Sequence, residues 1–122
     1  KLQSLERTYI DKVFALCDYY IQRKSKRYSR HLYDIYMLTP LMSFDTYFKR
    51  LVEEIRLHRQ SMPNCPSAQE GVSIVKLVKE FCRNDFYKED YLSITSYFTN
   101  HPINYNAVID NLLGVLEEGA FL

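Results

Sequence analysis

The sequence predicts an all-α fold, a five- or six-helix bundle, on three observations. Apolar residues recur at spacings of three and four, the alternation of a half-buried strand is absent, and only 3 Gly and 4 Pro interrupt the 122 residues. The length suits one domain with one core, so residues 1–122 are read as a single helical domain. Hydrophobic residues make up 47% and charged residues 25%, an ordinary globular mix. No apolar run approaches the roughly 20 residues of a membrane span, so no membrane partner is expected. The polar start lacks the apolar region of a signal peptide, and the expected location is cytoplasmic. The chain starts at Lys1 rather than Met and is read as part of a longer protein or a trimmed form of one.

The elements follow in order. Ser4 is placed to cap a first helix whose stripe is Leu5, Tyr9, Val13, Leu16 and Tyr20, running to about Arg23. Lys24-Ser25-Lys26 is a short polar connection. Ser29 is the expected N-cap of a second helix with Leu32, Ile35, Tyr36 and Leu38 toward the core, limited by Thr39-Pro40 because proline disfavours a helical residue before it. Ser43 is expected to open a third helix, with Phe44, Tyr47, Phe48, Leu51 and Ile55 as its stripe. Residues 61–71 form the clearest loop. A fourth helix carries Ile74, Leu77, Val78, Phe81 and Cys82 and ends at Asn84-Asp85. A fifth spans about Tyr87 to Phe98, and Asn100-His101-Pro102 breaks it. The last runs from about Tyr105 to Glu118 with Val108, Ile109, Leu112, Leu113 and Leu116 inward.

The net charge of +1 conceals an asymmetry. Residues 1–31 hold 8 Lys/Arg against 3 Asp/Glu, a net of +5, whereas residues 32–122 hold 8 against 12, a net of −4. The first segment suits an anionic partner. The three cysteines, Cys17, Cys65 and Cys82, are far apart and include no Cys-x-x-Cys pair, so reduced thiols are expected rather than a zinc site or disulfide framework. Tyr is abundant, with 11 residues, and Trp is absent. Tyr offers apolar area with a hydroxyl that needs a partner when buried. Core and rim filling is one reading. Base or ribose stacking is the other, best placed at Tyr28, Tyr33 and Tyr36 beside the basic residues.

In Arg27-Tyr28-Ser29-Arg30-His31-Leu32-Tyr33-Asp34, positions 27, 30/31 and 34 are spaced by three and four and are expected on one helical face. A guanidinium, an imidazole and a carboxylate near a helix start suit phosphate binding and the orientation of a partner cation. The plainer alternative is an Arg30–Asp34 intrahelical ion pair contributing about 0.3–0.5 kcal/mol. Lys12 lies on the flank of the first helix, where a short connection would let it face Asp34. An ammonium held by a carboxylate stays charged and positioned for phosphate, although spacing alone also permits an ordinary surface lysine. His58 and His101 read as a solvated helix-end cation and a turn residue, and no metal-ligand spacing, P-loop or nucleophile elbow is present.

Glu6-Arg7-Thr8-Tyr9-Ile10-Asp11-Lys12, followed by Arg27-Tyr28-Ser29-Arg30-His31-Leu32-Tyr33-Asp34-Ile35-Tyr36, resembles the AbiEii/AbiGii nucleotidyltransferase toxin family. The resemblance is dense over residues 6–38 and extends weakly to Asp90-Tyr91. It implies that Lys12 and Asp34 belong to an active site, with Arg27, Arg30 and His31 beside it as nucleotide or phosphate ligands. It also implies an N-terminal nucleotidyltransferase half, with a Gly-Ser turn and an Asp-x-Asp/Glu pair holding Mg2+. Neither motif occurs here. This chain is therefore expected to be the C-terminal helical half, to bind neither Mg2+ nor NTP by itself and to be inactive alone. The intact protein is expected to take an NTP with Mg2+, to act on a tRNA or other RNA acceptor and to be neutralised by a cognate antitoxin. The alternative is a basic helical module that binds RNA or the antitoxin without a catalytic role.

Overall fold

The computed structural model describes residues 4–122; Lys1, counted above in the basic segment, lies outside them. The architecture is an all-helical bundle of six helices, with no strand among the described residues. They are α1 (Leu5–Ile21), α2 (Arg30–Leu38), α3 (Thr46–Gln60), α4 (Ile74–Arg83), α5 (residues 88–98) and α6 (Tyr105–Leu116). Short 3-10 turns cover Thr39–Leu41 and Pro66–Ala68.

Helix α1 is the central element. Tyr9, Val13, Leu16 and Tyr20 form one stripe, and Ile10, Phe14 and Cys17 form a second beside it, all fully or almost fully buried. Two adjacent stripes widen the apolar face beyond that of a surface helix, so α1 packs against α2, α3, α4 and the Pro66–Ala68 turn. Leu5, at the head of the predicted stripe, is half exposed. The remaining polar residues divide by register: Asp11 and Asp18, seven apart, both meet Arg59 of α3, and Lys12 and Tyr19, also seven apart, turn toward α2. Helix α6 closes the other side against α2 and α4.

Caps explain where the helices begin. Ser4 accepts from the Arg7 amide, Ser73 from Lys76 and Asn104 from Ala107. One start differs from the sequence reading, and one stands where expected without its cap bond. Asp45, not Ser43, caps α3, its carboxylate accepting the Phe48 amide. Ser29 precedes α2 but makes no side-chain cap, because its hydroxyl is buried and donates to Asp90. Helix α5 is not uniform. Its central Tyr91–Thr95 segment is π-helical, flanked by Lys88–Asp90 and Ser96–Phe98.

Six tyrosines (Tyr9, Tyr20, Tyr33, Tyr87, Tyr91 and Tyr105) are buried, and every one has a hydroxyl partner. Tyr9 pairs with Thr39, Tyr20 with Glu80, and Tyr105 with Asp85. Tyr33, Tyr87 and Tyr91 donate to the His101, Leu16 and Ile103 carbonyls. The abundance of tyrosine is therefore mainly a matter of the core, and Tyr33 is withdrawn from the stacking candidates. The three thiols are unpaired and buried.

Candidate functional site

The site is built where α1 passes α2. Lys12 Nζ donates to Asp34 Oδ2 at 3.2 Å, with 22% and 26% of their side chains exposed. Arg30 Nε donates to the other oxygen, Oδ1, at 3.1 Å across one helical turn. One carboxylate thus orients two cations, one from each helix. Because the pair is partly solvated it stabilises the fold by no more than about 1 kcal/mol. Its effect is geometric. An ammonium has three protons, so Lys12 keeps donors for another oxygen while Asp34 holds its charge in place. The Arg30 guanidinium also lies over the Tyr33 ring, 5.2 Å from its centroid.

His31 enters the same neighbourhood as a neutral group. Its Nδ1 is buried and has no partner, and burial, followed by the nearby Lys12 charge, lowers its pKa to about 4, with Asp34 opposing and Arg59 adding to the effect. At neutral pH His31 is an uncharged imidazole, a hydrogen-bonding ring and not a cation. The imidazole lies parallel to Tyr19 at 6.2 Å, and Tyr19 stacks on Tyr28 at 3.6 Å.

Arg27 departs from the expected face. Helix α2 begins only at Arg30, and Arg27 sits before it in a left-handed conformation with φ 80°. Its amide donates to Asp90 Oδ1 at 2.9 Å. The reason is the buried Asp90 carboxylate of α5, which also takes the Ser29 amide and hydroxyl, at 3.2 and 2.5 Å. Collecting three donors from one turn bends residues 27–29 away from the helix, so Arg27 does not stack with Arg30 and Asp34.

Two features near the site were not anticipated from the sequence. Arg59 reaches from α3 to Asp11 Oδ1 and its backbone carbonyl, each at 3.2 Å, and to Asp18 Oδ2 at 2.9 Å. It grips α1 on both sides of Lys12, but Asp11 and Asp18 lie 48 and 41 residues away, beyond any local pattern. Asp18 is also held by the Ser67 amide and hydroxyl, while burial pushes its carboxyl above the usual value against these donors and Arg59. Tyr19 had a usable signal, since it stands seven residues, two helical turns, after Lys12.

The donor set does not fit a divalent cation. Both Asp34 oxygens already face cations, and among the described residues no group of three His, Cys, Asp or Glu side chains could hold a metal ion. What the arrangement suits is an anion of several oxygens, met by Lys12 and Arg30 at a partly open surface. No described helix is long and apolar enough to cross a membrane.

Residues 1–112 match the family described as nucleotidyl transferase AbiEii toxin, type IV TA system. No curated protein and no solved structure matches the chain. The match takes in both Lys12 and Asp34 and covers far more than half of the sequence: the chain belongs to the AbiEii nucleotidyl transferase toxin family of type IV toxin–antitoxin systems.

Proposed function

We propose that this chain is the triphosphate-gripping helical half of a nucleotidyltransferase-like toxin. The observation that carries the reading is the Lys12–Asp34 pair, 3.2 Å apart between two helices and partly open to solvent. Lys12 donates to the phosphate oxygens of an NTP. Asp34 orients Lys12, and Arg30 completes the charge around the carboxylate and meets a second phosphate oxygen. His31, neutral, lines the site as a hydrogen-bonding ring. Family membership supports a nucleotidyltransferase-like activity and a cognate antitoxin as partner.

The Mg2+ carboxylates belong to a separate transferase half, because the Gly-Ser and Asp-x-Asp motifs are absent from this sequence and Asp34 is occupied by cations. On this reading the chain alone transfers nothing. The acceptor is an RNA.

The test is nucleotide transfer from NTP to RNA by the full-length protein. Lys12→Ala is expected to lower the rate about 100-fold or more, the scale of removing one charged donor from a transferring group. Asp34→Asn, which leaves Lys12 charged but unheld, is expected to cost about tenfold, with far-UV circular dichroism unchanged in both. Transfer at the wild-type rate in both variants overturns the assignment.

A further inference from the structure

The turn between α1 and α2 carries a second feature that the triphosphate site does not use. Residues 23–28 line an open surface hollow of about 460 Å³. Arg23, Lys24, Lys26 and Arg27 are all exposed, and among the described residues none of them forms an ion pair. No acidic residue lines the hollow. Glu89 and Asp90 line an adjoining recess together with Lys26 and Arg27, and Asp90 is already taken by three donors of the turn. Four like charges within five residues repel one another, and a bound polyanion relieves that repulsion.

The hollow also has an aromatic side. Tyr28 lines it and stacks on Tyr19 at 3.6 Å and 10°, and Tyr19 lies parallel to His31 within 3°. A row of three near-parallel rings therefore runs from the cationic turn to the imidazole beside Lys12 and Asp34. The turn is fixed in place by the Asp90 carboxylate and by the Ser29 hydroxyl on Thr95, so ordering it on binding costs little. Cations along a groove with rings for stacking are the recognition chemistry of single-stranded nucleic acid, whose unpaired bases offer their faces. A duplex offers phosphates but keeps its bases stacked inside.

We propose that this hollow binds a single-stranded RNA segment, its phosphates on Arg23, Lys24, Lys26 and Arg27 and an unpaired base against the Tyr28 end of the ring row, so that the strand's end is delivered toward Lys12 and Asp34. Direction of delivery rests on the function proposed above; binding to the hollow does not. The site takes a strand by charge and stacking, with no hydrogen-bond code for a particular base.

The test is fluorescence anisotropy of a labelled eight-nucleotide single-stranded RNA with this chain, across a salt series. Lys24→Gln/Lys26→Gln, two exposed positions that leave the core intact, is expected to weaken binding several-fold and to flatten the slope of log affinity against log salt by roughly 1.4, about 0.7 for each lost contact with a single strand. Tyr28→Ala is expected to lose about tenfold and Tyr28→Phe to bind as wild type. Lys12→Ala, which lowers transfer by the full-length protein, is expected to leave RNA affinity within about twofold, which separates the two sites. If neither the double variant nor Tyr28→Ala changes affinity or salt slope, or if a duplex of equal length binds as tightly as the single strand, the proposal fails. Its failure would leave the Lys12 result standing.

Discussion

His31 shows how one residue's surroundings set its chemistry. Its neighbours on α1 and α3 are cations, Lys12 and Arg59, and its neighbour on α2 is Asp34. Burial, the largest effect, is reinforced by the two cations and opposed only by Asp34, and the imidazole takes up a proton only near pH 4 instead of near the ordinary 6.5. Between these values the unfolded chain binds a proton that the folded chain refuses. Stability therefore falls as pH drops from about 6.5 toward 4, and above that window the group contributes nothing. The full shift corresponds to at most about 3 kcal/mol. We expect wild-type protein, unfolded by urea at pH 7 and at pH 4.5, to lose about 2 kcal/mol more between the two than His31→Gln. Equal losses would show that His31 titrates near its ordinary value. Arg59 acts at the same scale by a different route: it holds both the side chain and the carbonyl of Asp11, and so fixes the backbone next to Lys12.

At the scale of elements, the decisive contact joins α5 to the turn before α2. Asp90 is buried and accepts three hydrogen bonds from residues 27 and 29. Without its carboxylate those donors remain desolvated, at about 1 kcal/mol or more apiece. Asp90→Ala is expected to cost about 3 kcal/mol in urea unfolding and Asp90→Asn clearly less, since the amide keeps one acceptor; a loss under about 0.5 kcal/mol would mean that water replaces the carboxylate. Competition for hydrogen bonds also explains why Ser29 makes no cap bond, and reach explains why the cap of α3 moved. Ser29 has the right residue type and position, but Asp90 and Thr95 take its hydroxyl. Ser43 stands two residues before Asp45, whose carboxylate reaches the Phe48 amide at 3.0 Å. The remaining helix boundaries, including Ser4, Asn84 and the break at 100–102, follow the sequence reading closely.

Over the whole molecule, α1 is enclosed by its neighbours, and the thiols report on that enclosure. Cys17 is 0% exposed, Cys65 8% and Cys82 6%. Burial raises the Cys17 thiol well above its ordinary value and pushes Cys82 up to about 12. A thiol-specific reagent at pH 8 is therefore expected to leave native protein almost untouched over minutes and to label all three cysteines in denaturant. Rapid labelling of Cys17 in native protein would mean that α1 opens locally. The all-helical bundle and its helix order could be read from the sequence, because a 3.6-residue period and capping residues are local properties of the chain; spacing only allowed Lys12 to face Asp34, and the family resemblance singled the two out. Arg59 on Asp11 and Asp18, the displacement of Arg27 and the row of Tyr28, Tyr19 and His31 belong to the tertiary structure alone. Their partners are brought together from separate helices, and burial, which only the packed chain supplies, decides which donor meets which acceptor and whether His31 carries a charge.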